Sequence, residues 1–512
     1  QKGMRSMKRR NFIVAGASLS AALTLPLGRK AKLFAASLPA DLTNLSASDL
    51  STAIRQGEAS CVEVMQAYLQ RIHRYNPVYN AIVSMVDDDD LLAQALNADQ
   101  ALARNQYRGW MHGMPHAVKD LTNVAGMRTT SGSPIYANRI AENDSLLVSR
   151  IRNQGAIFIG KTNTPEFGLG SQSYNPVFGA TGSAYNPALT AGGSSGGAAS
   201  GLGTHMLPVA DGSDMMGSLR NPGAFNNVIG FRPTSGRVPG GDIFYHRLST
   251  SGPLGRNTED TIRLLRSLVG PIPNQPLSLP DDLPQADEFR ALNLNGIKLG
   301  WMGSYDNYLA TEPGLLDVCE ASLKTVASAG ATVEPCMPNF DMAALWQAWM
   351  DLRHWSRAGA MDLYNNPETR EQLKSEYIWE IEYSLTLSAA DIYRAGSVRA
   401  SWFRELSRLF DEYDFLVLPT AQVFPFPKEI HWPQEINGRV MDTYHRWMEV
   451  VIGGTLAGIP VVNVPAGFDA SGRPMGMQIM GRFGEDRKVL EFALAYEGIT
   501  DHLQKRPEMV SI

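Results

Sequence analysis

The arrangement of apolar segments along these 512 residues predicts an α/β fold: a single large domain with a mixed, mostly parallel central sheet covered by helices on both faces. Short strand-like runs alternate with longer stretches of helical period, among them Ile297-Lys298-Leu299-Gly300-Trp301, Phe415-Leu416-Val417-Leu418 and Val461-Val462-Asn463-Val464. That alternation is the pattern of a sheet buried on two sides. Composition agrees, with 44% hydrophobic and 19% charged residues: enough apolar surface for a sizeable core, and too little charge for disorder.

Residues 1–40 stand apart from the domain assigned to 41–512. Gln1 through Ser6 read as a tag remnant, with Met7 as the natural start. Lys8-Arg9-Arg10-Asn11-Phe12-Ile13-Val14 leads into an apolar stretch ending near Leu27, with Arg29, Lys30 and Lys32 beyond it. The stretch is short for a membrane span, and the paired arginines before Asn-Phe-Ile resemble a twin-arginine export signal. The expectation is a periplasmic or secreted protein without stable membrane insertion after signal removal; the alternative is a cytoplasmic protein with a basic tail.

Within the domain a first helix is expected over 49–56. Ser60-Cys61-Val62-Glu63 is a capping-box pattern that starts a second, which should stop before Asn76-Pro77. The acidic run 87–90 lacks the ligand spacing of a cation loop and reads as a solvated loop. A third helix follows over 91–104. His116-Ala117-Val118 forms a strand running into Lys119, a helix covers 146–154, and Ala156 to Gly160 is a buried strand. The proline- and acid-rich segment 271–287 reads as a surface connection between two halves of one core. Cys61, Cys319 and Cys336 show no metal spacing and need no disulfide framework. A net charge of −5 without a basic stripe in the domain argues against nucleic-acid binding.

Gly155-Ala-Ile-Phe-Ile-Gly160-Lys161-Thr162 matches the phosphate-loop pattern letter for letter. Its four intervening residues are apolar and belong to the strand itself, so no nucleotide site is expected there.

The chemistry concentrates elsewhere. Gly192-Gly193-Ser194-Ser195-Gly196-Gly197 is a backbone able to bend tightly, and Ser218 follows Ser194 by 24 positions within Gly212-Ser-Asp-Met-Met-Gly-Ser218-Leu-Arg220. Ser218 is the candidate nucleophile, and an alcohol needs a base. Lys119, at the end of an apolar run, can serve only when neutral. A free lysine is about one part in 2,500 uncharged at pH 7, so burial must lower its pKa by roughly three units, about 4 kcal/mol. The hydroxyl of Ser194 can accept from one partner and donate to the other, relaying the proton from Ser218 to Lys119. His116, three positions before Lys119, reads as structural. His205 and Asp211 lie near Ser218 in sequence only.

Five motifs occur in order: Gly113-Met-Pro-His-Ala-Val-Lys119-Asp, Gly160-Lys-Thr-Asn-Thr-Pro-Glu-Phe, Gly192-Gly-Ser194-Ser-Gly-Gly, Asp214-Met-Met-Gly-Ser218-Leu-Arg220 and Gly230-Phe-Arg-Pro-Thr. With Leu456-Ala-Gly-Ile-Pro460 and Pro474-Met-Gly-Met-Gln478 they make residues 46–497 resemble the amidase signature family of Ser–cis-Ser–Lys serine hydrolases. The resemblance implies a cis Gly193–Ser194 bond and an oxyanion hole of main-chain N–H groups from Met215, Met216, Gly217 and Ser218. It implies Asp214 and Arg220 as braces, with Gly193 and Ser195 in support. Met216 departs from the family's usual glycine, and Met215 from a small or branched residue; a positive φ at Met216 would cost about 1–2 kcal/mol.

The implied activity is hydrolysis of a small-molecule carboxylic amide, without metal or organic cofactor, by a monomer or homodimer. Tyr174 and Asn175 are weaker candidates for substrate contact. The tryptophans at 346, 349, 355, 379 and 402, with Tyr364, Tyr377, Tyr383 and Tyr393, read first as core. Some of them lining a pocket would favour a bulky, apolar or aryl amide. An amide-oligomer or carbamate hydrolase of the same family is an alternative. A partner-dependent amidotransferase subunit is the rival of another class.

Overall fold

Ser46 caps the first helix, α1 (Ala47–Gln56), by accepting the Asp49 N–H at 3.0 Å. The computed structural model describes residues 38–240, 244 and 248–510. The basic leader lies outside the described residues, and the chain from Pro39 onward forms one unit. The capping box closes as expected at α2 (Cys61–Tyr79): Ser60 accepts from Glu63 N–H at 3.1 Å and Glu63 accepts from Ser60 N–H at 2.8 Å. The helix does not stop before Asn76-Pro77. It carries Pro77 in its last turn, because Tyr75 and Tyr79 continue the buried face set by Tyr68 and Ile72, and it ends at Asn80 with φ 51°. After β1 (Ile82–Val83) the acidic run is not a loop: Asp87 caps α3 (Asp88–Ala103) and the next three acids form its first turn. Free N–H groups and the positive end of the helix dipole favour carboxylates there.

The chain continues through β2 (Pro115–Lys119), α4 (Leu146–Asn153) and β3 (Ile157–Thr162). β1, β3 and β2 form a small sheet in that order, with β2 parallel to β3. All six residues of β3 are buried, so the phosphate-loop lookalike is strand as expected. The amine of Lys161 donates to the Thr122 carbonyl.

α5 (Gly196–Gly203) leads into β4 (Val209–Asp214), α6 (Arg220–Phe225), β5 (Ile229–Arg232), β6 (Thr250–Gly255) and α7 (Thr258–Leu268). Segment 271–287 is largely exposed and leads to β7 (Lys298–Trp301). Then come α8 (Leu315–Ser328), β8 (Thr332–Pro335), α9 (Met342–Trp355), α10 (Ser375–Thr386), α11 (Ala389–Leu409) and β9 (Phe415–Pro419). β10 (Val461–Phe468), β11 (Pro474–Met480) and α12 (Asp486–Ile499) close the chain's regular structure.

The central sheet is mixed and eight-stranded, in the order β8-β7-β9-β11-β10-β5-β6-β4. It is not mostly parallel. Only β8–β7 and β7–β9 pair in parallel, and the five junctions from β9 to β4 are antiparallel. Connection length explains part of this, since the turn between β10 and β11 is far too short for the crossover a parallel pair requires. Helices α6, α8 and α12 pack on β10, α7 packs on β6, and α5 fills the space between β4 and the small sheet. Trp349 and Trp402 are fully buried where α9 meets α11. Trp346 and Tyr377 are buried as well, whereas Tyr393 is 80% exposed.

Candidate active site

Three backbone features converge between the two sheets. Lys119 ends β2, facing β4. The loop ahead of α5 brings Ser194 and Ser195, and the turn between β4 and α6 brings Ser218. Glycine permits the approach: a Cβ at Gly197 would meet Asn163 N at 2.3 Å and the Ala81 carbonyl oxygen at 2.4 Å. The Gly193–Ser194 peptide bond is cis. Gly193 donates its N–H to Asn221 Oδ1 at 3.3 Å, and Ser195 N–H reaches the Ser218 carbonyl at 3.3 Å, tying the two serine loops together.

Lys119 is 1% exposed, and its Nζ lies 2.7 Å from Ser194 Oγ, 2.9 Å from Ser195 Oγ and 3.0 Å from Ser213 Oγ. The carboxylates of Asp211 and Asp214 pull its pKa upward, but burial outweighs them and brings it down to about 7. The amine is thus surrounded by hydroxyls, groups that accept from it or donate to its lone pair. Ser213 was missed from sequence. Strand alternation carries the signal, since Asp211 and Ser213 share a face of β4 and Asp211 Oδ2 accepts the Lys119 N–H at 3.4 Å. His116 Nε2 sits 2.9 Å from Asp211 Oδ1 in the core, and His205 lies by Thr43 and Arg256. Ser218, 7% exposed, is tied to the cluster through its carbonyl, which accepts the Ser195 N–H.

The Ser218 turn is built on Asp214. Its carboxylate accepts Gly217 N–H at 3.0 Å, Leu219 N–H at 3.1 Å, and Arg220 Nε and Nη2 at 3.0 and 2.9 Å. Burial alone would raise its pKa, but Arg220 and Arg232 outweigh that and hold it below the usual carboxylate range. Arg220 continues to Val451 O, Gln478 Oε1 and Thr455 Oγ1 at 2.8–2.9 Å, anchoring the turn to β11 and its surroundings.

This corrects one expectation: Gly217 gives its N–H to Asp214 and is no free oxyanion donor. The N–H groups of Met215, Met216 and Ser218 have no acceptor among the described residues. The positive φ falls on Gly217, at 83°, and not on Met216, so the methionine carries no strain there. Met216 is buried. Met215 is half-buried, with its sulfur 3.3 Å from Arg353 Nη1 and 3.9 Å from Arg357 Nη2.

Both of those guanidinium groups pair with buried Glu380, at 2.7 and 2.6 Å. His354 and His445 bring ring nitrogens within 4.8 Å of the same carboxylate. Burial keeps His354 neutral with a pKa of about 4 and holds His445 well below its usual range. With two guanidinium cations already on its one carboxylate, the cluster disfavours a divalent metal and serves as a brace behind Met215.

Asn175 is not placed for substrate. Its Nδ2 donates to Asn163 Oδ1 and the Thr164 carbonyl, both at 2.7 Å, while its Oδ1 accepts from Val177 and Phe178, so its polar atoms are consumed inside the fold. Tyr174 is half-buried, stacked on His431 at 4.2 Å with Lys374 Nζ 4.6 Å from its ring centre. Phe167, Leu169 and Tyr377 pack together, and a Cβ at Gly168 between them would lie 3.5 Å from Ser194 Oγ. The aromatic segment around α10 therefore borders the serine cluster.

A family model described as Amidase matches residues 63–490. An acylamidase of Rhodococcus erythropolis is 30% identical over 90% of this chain and 97% of its own length. A glutamyl-tRNA(Gln) amidotransferase subunit of Symbiobacterium thermophilum is 32% identical, covering 91% of this chain and 99% of that one. Among solved structures, a bacterial aryl acylamidase of the amidase signature enzymes is similar at a TM-score of 0.84 and 24% identity. It covers 90% of this chain and 97% of its own, a likeness of fold.

Proposed function

The chain belongs to the amidase signature family and is an enzyme acting on amide C–N bonds; on that premise we propose that it hydrolyses carboxylic amides through a Ser218 acyl-enzyme. Ser218 Oγ attacks the amide carbon while its proton passes to Ser194, whose own proton goes to the neutral amine of Lys119. The oxyanion takes N–H donors from Met215, Met216 and Ser218. The tetrahedral intermediate then collapses, its C–N bond breaks, and the relay returns the proton to the leaving amine. Water attacks the acyl-enzyme by the same route and frees the acid and Ser218. The observation carrying this reading is the Lys119 amine, 2.7 Å from Ser194 with its pKa brought to about 7. The phenyl and phenol rings near Gly168, with the likeness to an acylamidase, support bulky, apolar or aryl amides over small polar ones. Amide oligomers and carbamates offer the same carbonyl chemistry.

Ser218→Ala is expected to abolish both turnover of an aryl amide and covalent labelling by a fluorophosphonate. Retained labelling would sink the assignment. The likeness to amidotransferase subunits favours a second reading, in which the chain acts only within a complex. Turnover by the purified chain alone decides between them. We also propose export through the basic leader; secretion unchanged after Arg9→Lys and Arg10→Lys together would refute it.

A further inference from the structure

A cavity of about 350 Å³ lies beyond Tyr444, walled by Trp379, Trp432 and Tyr444 and rimmed by Ser375, Glu376 and Asp442. From it we infer a binding site for an organic ammonium group, a function that goes beyond the amide hydrolysis proposed above.

The walls are held in place. Trp379 and Tyr444 meet at 90°, with ring centres 6.2 Å apart, and make a rigid corner. His354 and His445 stand edge-on to Trp379 at 4.8 and 5.8 Å, and Tyr444 stacks on His445 at 4.6 Å. Arg353 Nη2 fixes the Tyr444 hydroxyl at 2.8 Å. Trp432, half-buried, lines the cavity with them. Aromatic faces carry negative potential and attract a cation that can shed its water cheaply, which a substituted ammonium does and a small metal ion does not.

Charge points the same way. Glu376 and Asp442 are the charged residues lining the cavity. Among the described residues Glu376 accepts from Ser375 Oγ, at 3.0 Å, and Asp442 pairs loosely with Arg446 at 3.5 Å. Two cations nearby carry other bonds as well: Lys374 Nζ, 5.9 Å from the Tyr444 ring centre, donates to Leu169 O at 3.0 Å, and Arg446 Nε pairs with Glu449 at 2.9 Å. An anion would find no positive lining group, and a neutral apolar ligand would leave the two carboxylates unused. One wall reaches the loop that leads to the serines, since a Cβ at Gly170 would lie 3.8 Å from Tyr444 Cε2.

The test is binding of choline to the full chain, followed by calorimetry and tryptophan fluorescence, against its uncharged isostere 3,3-dimethylbutan-1-ol. Choline should bind at least tenfold more tightly than the alcohol. Trp432→Ala and Glu376→Gln should each weaken choline at least tenfold. Glu376→Gln keeps the side chain's shape, so its effect reports charge rather than folding. Ser218→Ala should bind choline as the parent chain does, which separates this site from the fate of the amidase proposal. Equal binding of choline and its isostere, or variants that bind unchanged, would overturn the inference.

Discussion

At the scale of single residues, the behaviour of Lys119 follows from competition between burial and two carboxylates. Burial wins and brings its pKa to about 7. The base is the neutral amine, so kcat/KM should climb about tenfold per pH unit below 7 and level off above it; a pH–rate profile checks this, and a profile flat from pH 5 to 8 would contradict it. Lys119→Ala should lower kcat by about 10²–10⁴. The same group predicts a stability effect. Between pH 7 and 10.5 the unfolded chain holds a proton at this lysine that the folded chain has released, so stability rises with pH across that window. The penalty is fully present below pH 7 and gone above 10.5. Lys119→Met removes it, so the variant's stability relative to the parent should fall by about 5 kcal/mol at most over that range in urea unfolding. The hydroxyls left around the methionine offset the curves without changing this slope. Legibility at this scale was uneven: Ser194, Ser218 and Lys119 were marked by motif, whereas Ser213 and the commitment of Gly217 to Asp214 depend on where side chains point in three dimensions.

Elements hold these residues by their ends. β4 terminates in Asp214, and that one carboxylate organises the Ser218 turn, two arginines and the start of α6. Asp214→Asn leaves two buried guanidinium groups without their counter-charge and should cost about 3–5 kcal/mol in a denaturant or thermal melt. Loss of under 1 kcal/mol would show that Arg220 finds enough support from Val451, Thr455 and Gln478. The capping box of Ser60 and Glu63 and the buried strands were legible because their signals lie within a few consecutive residues. Strand direction was not. An apolar run such as Val461 to Val464 reads alike in a parallel or an antiparallel pair, and its neighbours β5 and β11 come from either side of it in sequence.

For the molecule as a whole, the seam between the small sheet and the edge strand β4 is where the candidate chemistry lies, with α5 packed against both. The purified chain should hydrolyse a simple aryl amide without ATP, tRNA or a second subunit, and gel filtration should place the active species at monomer or dimer size. Activity that appears only on adding a partner would favour the amidotransferase-like reading. No described helix is long and apolar enough to cross a membrane.

Sequence alone determined the family, the alternation of strands and helices, and the three side chains of the proposed relay, because each is written in local spacing or in short motifs. Tertiary structure decided the antiparallel bias of the sheet, the retirement of Asn175 and Gly217 from the site, and the lowered pKa of Lys119. Those outcomes rest on desolvation and on partners far apart in the chain, as Lys119 is from Ser213 and Arg220 from Gln478.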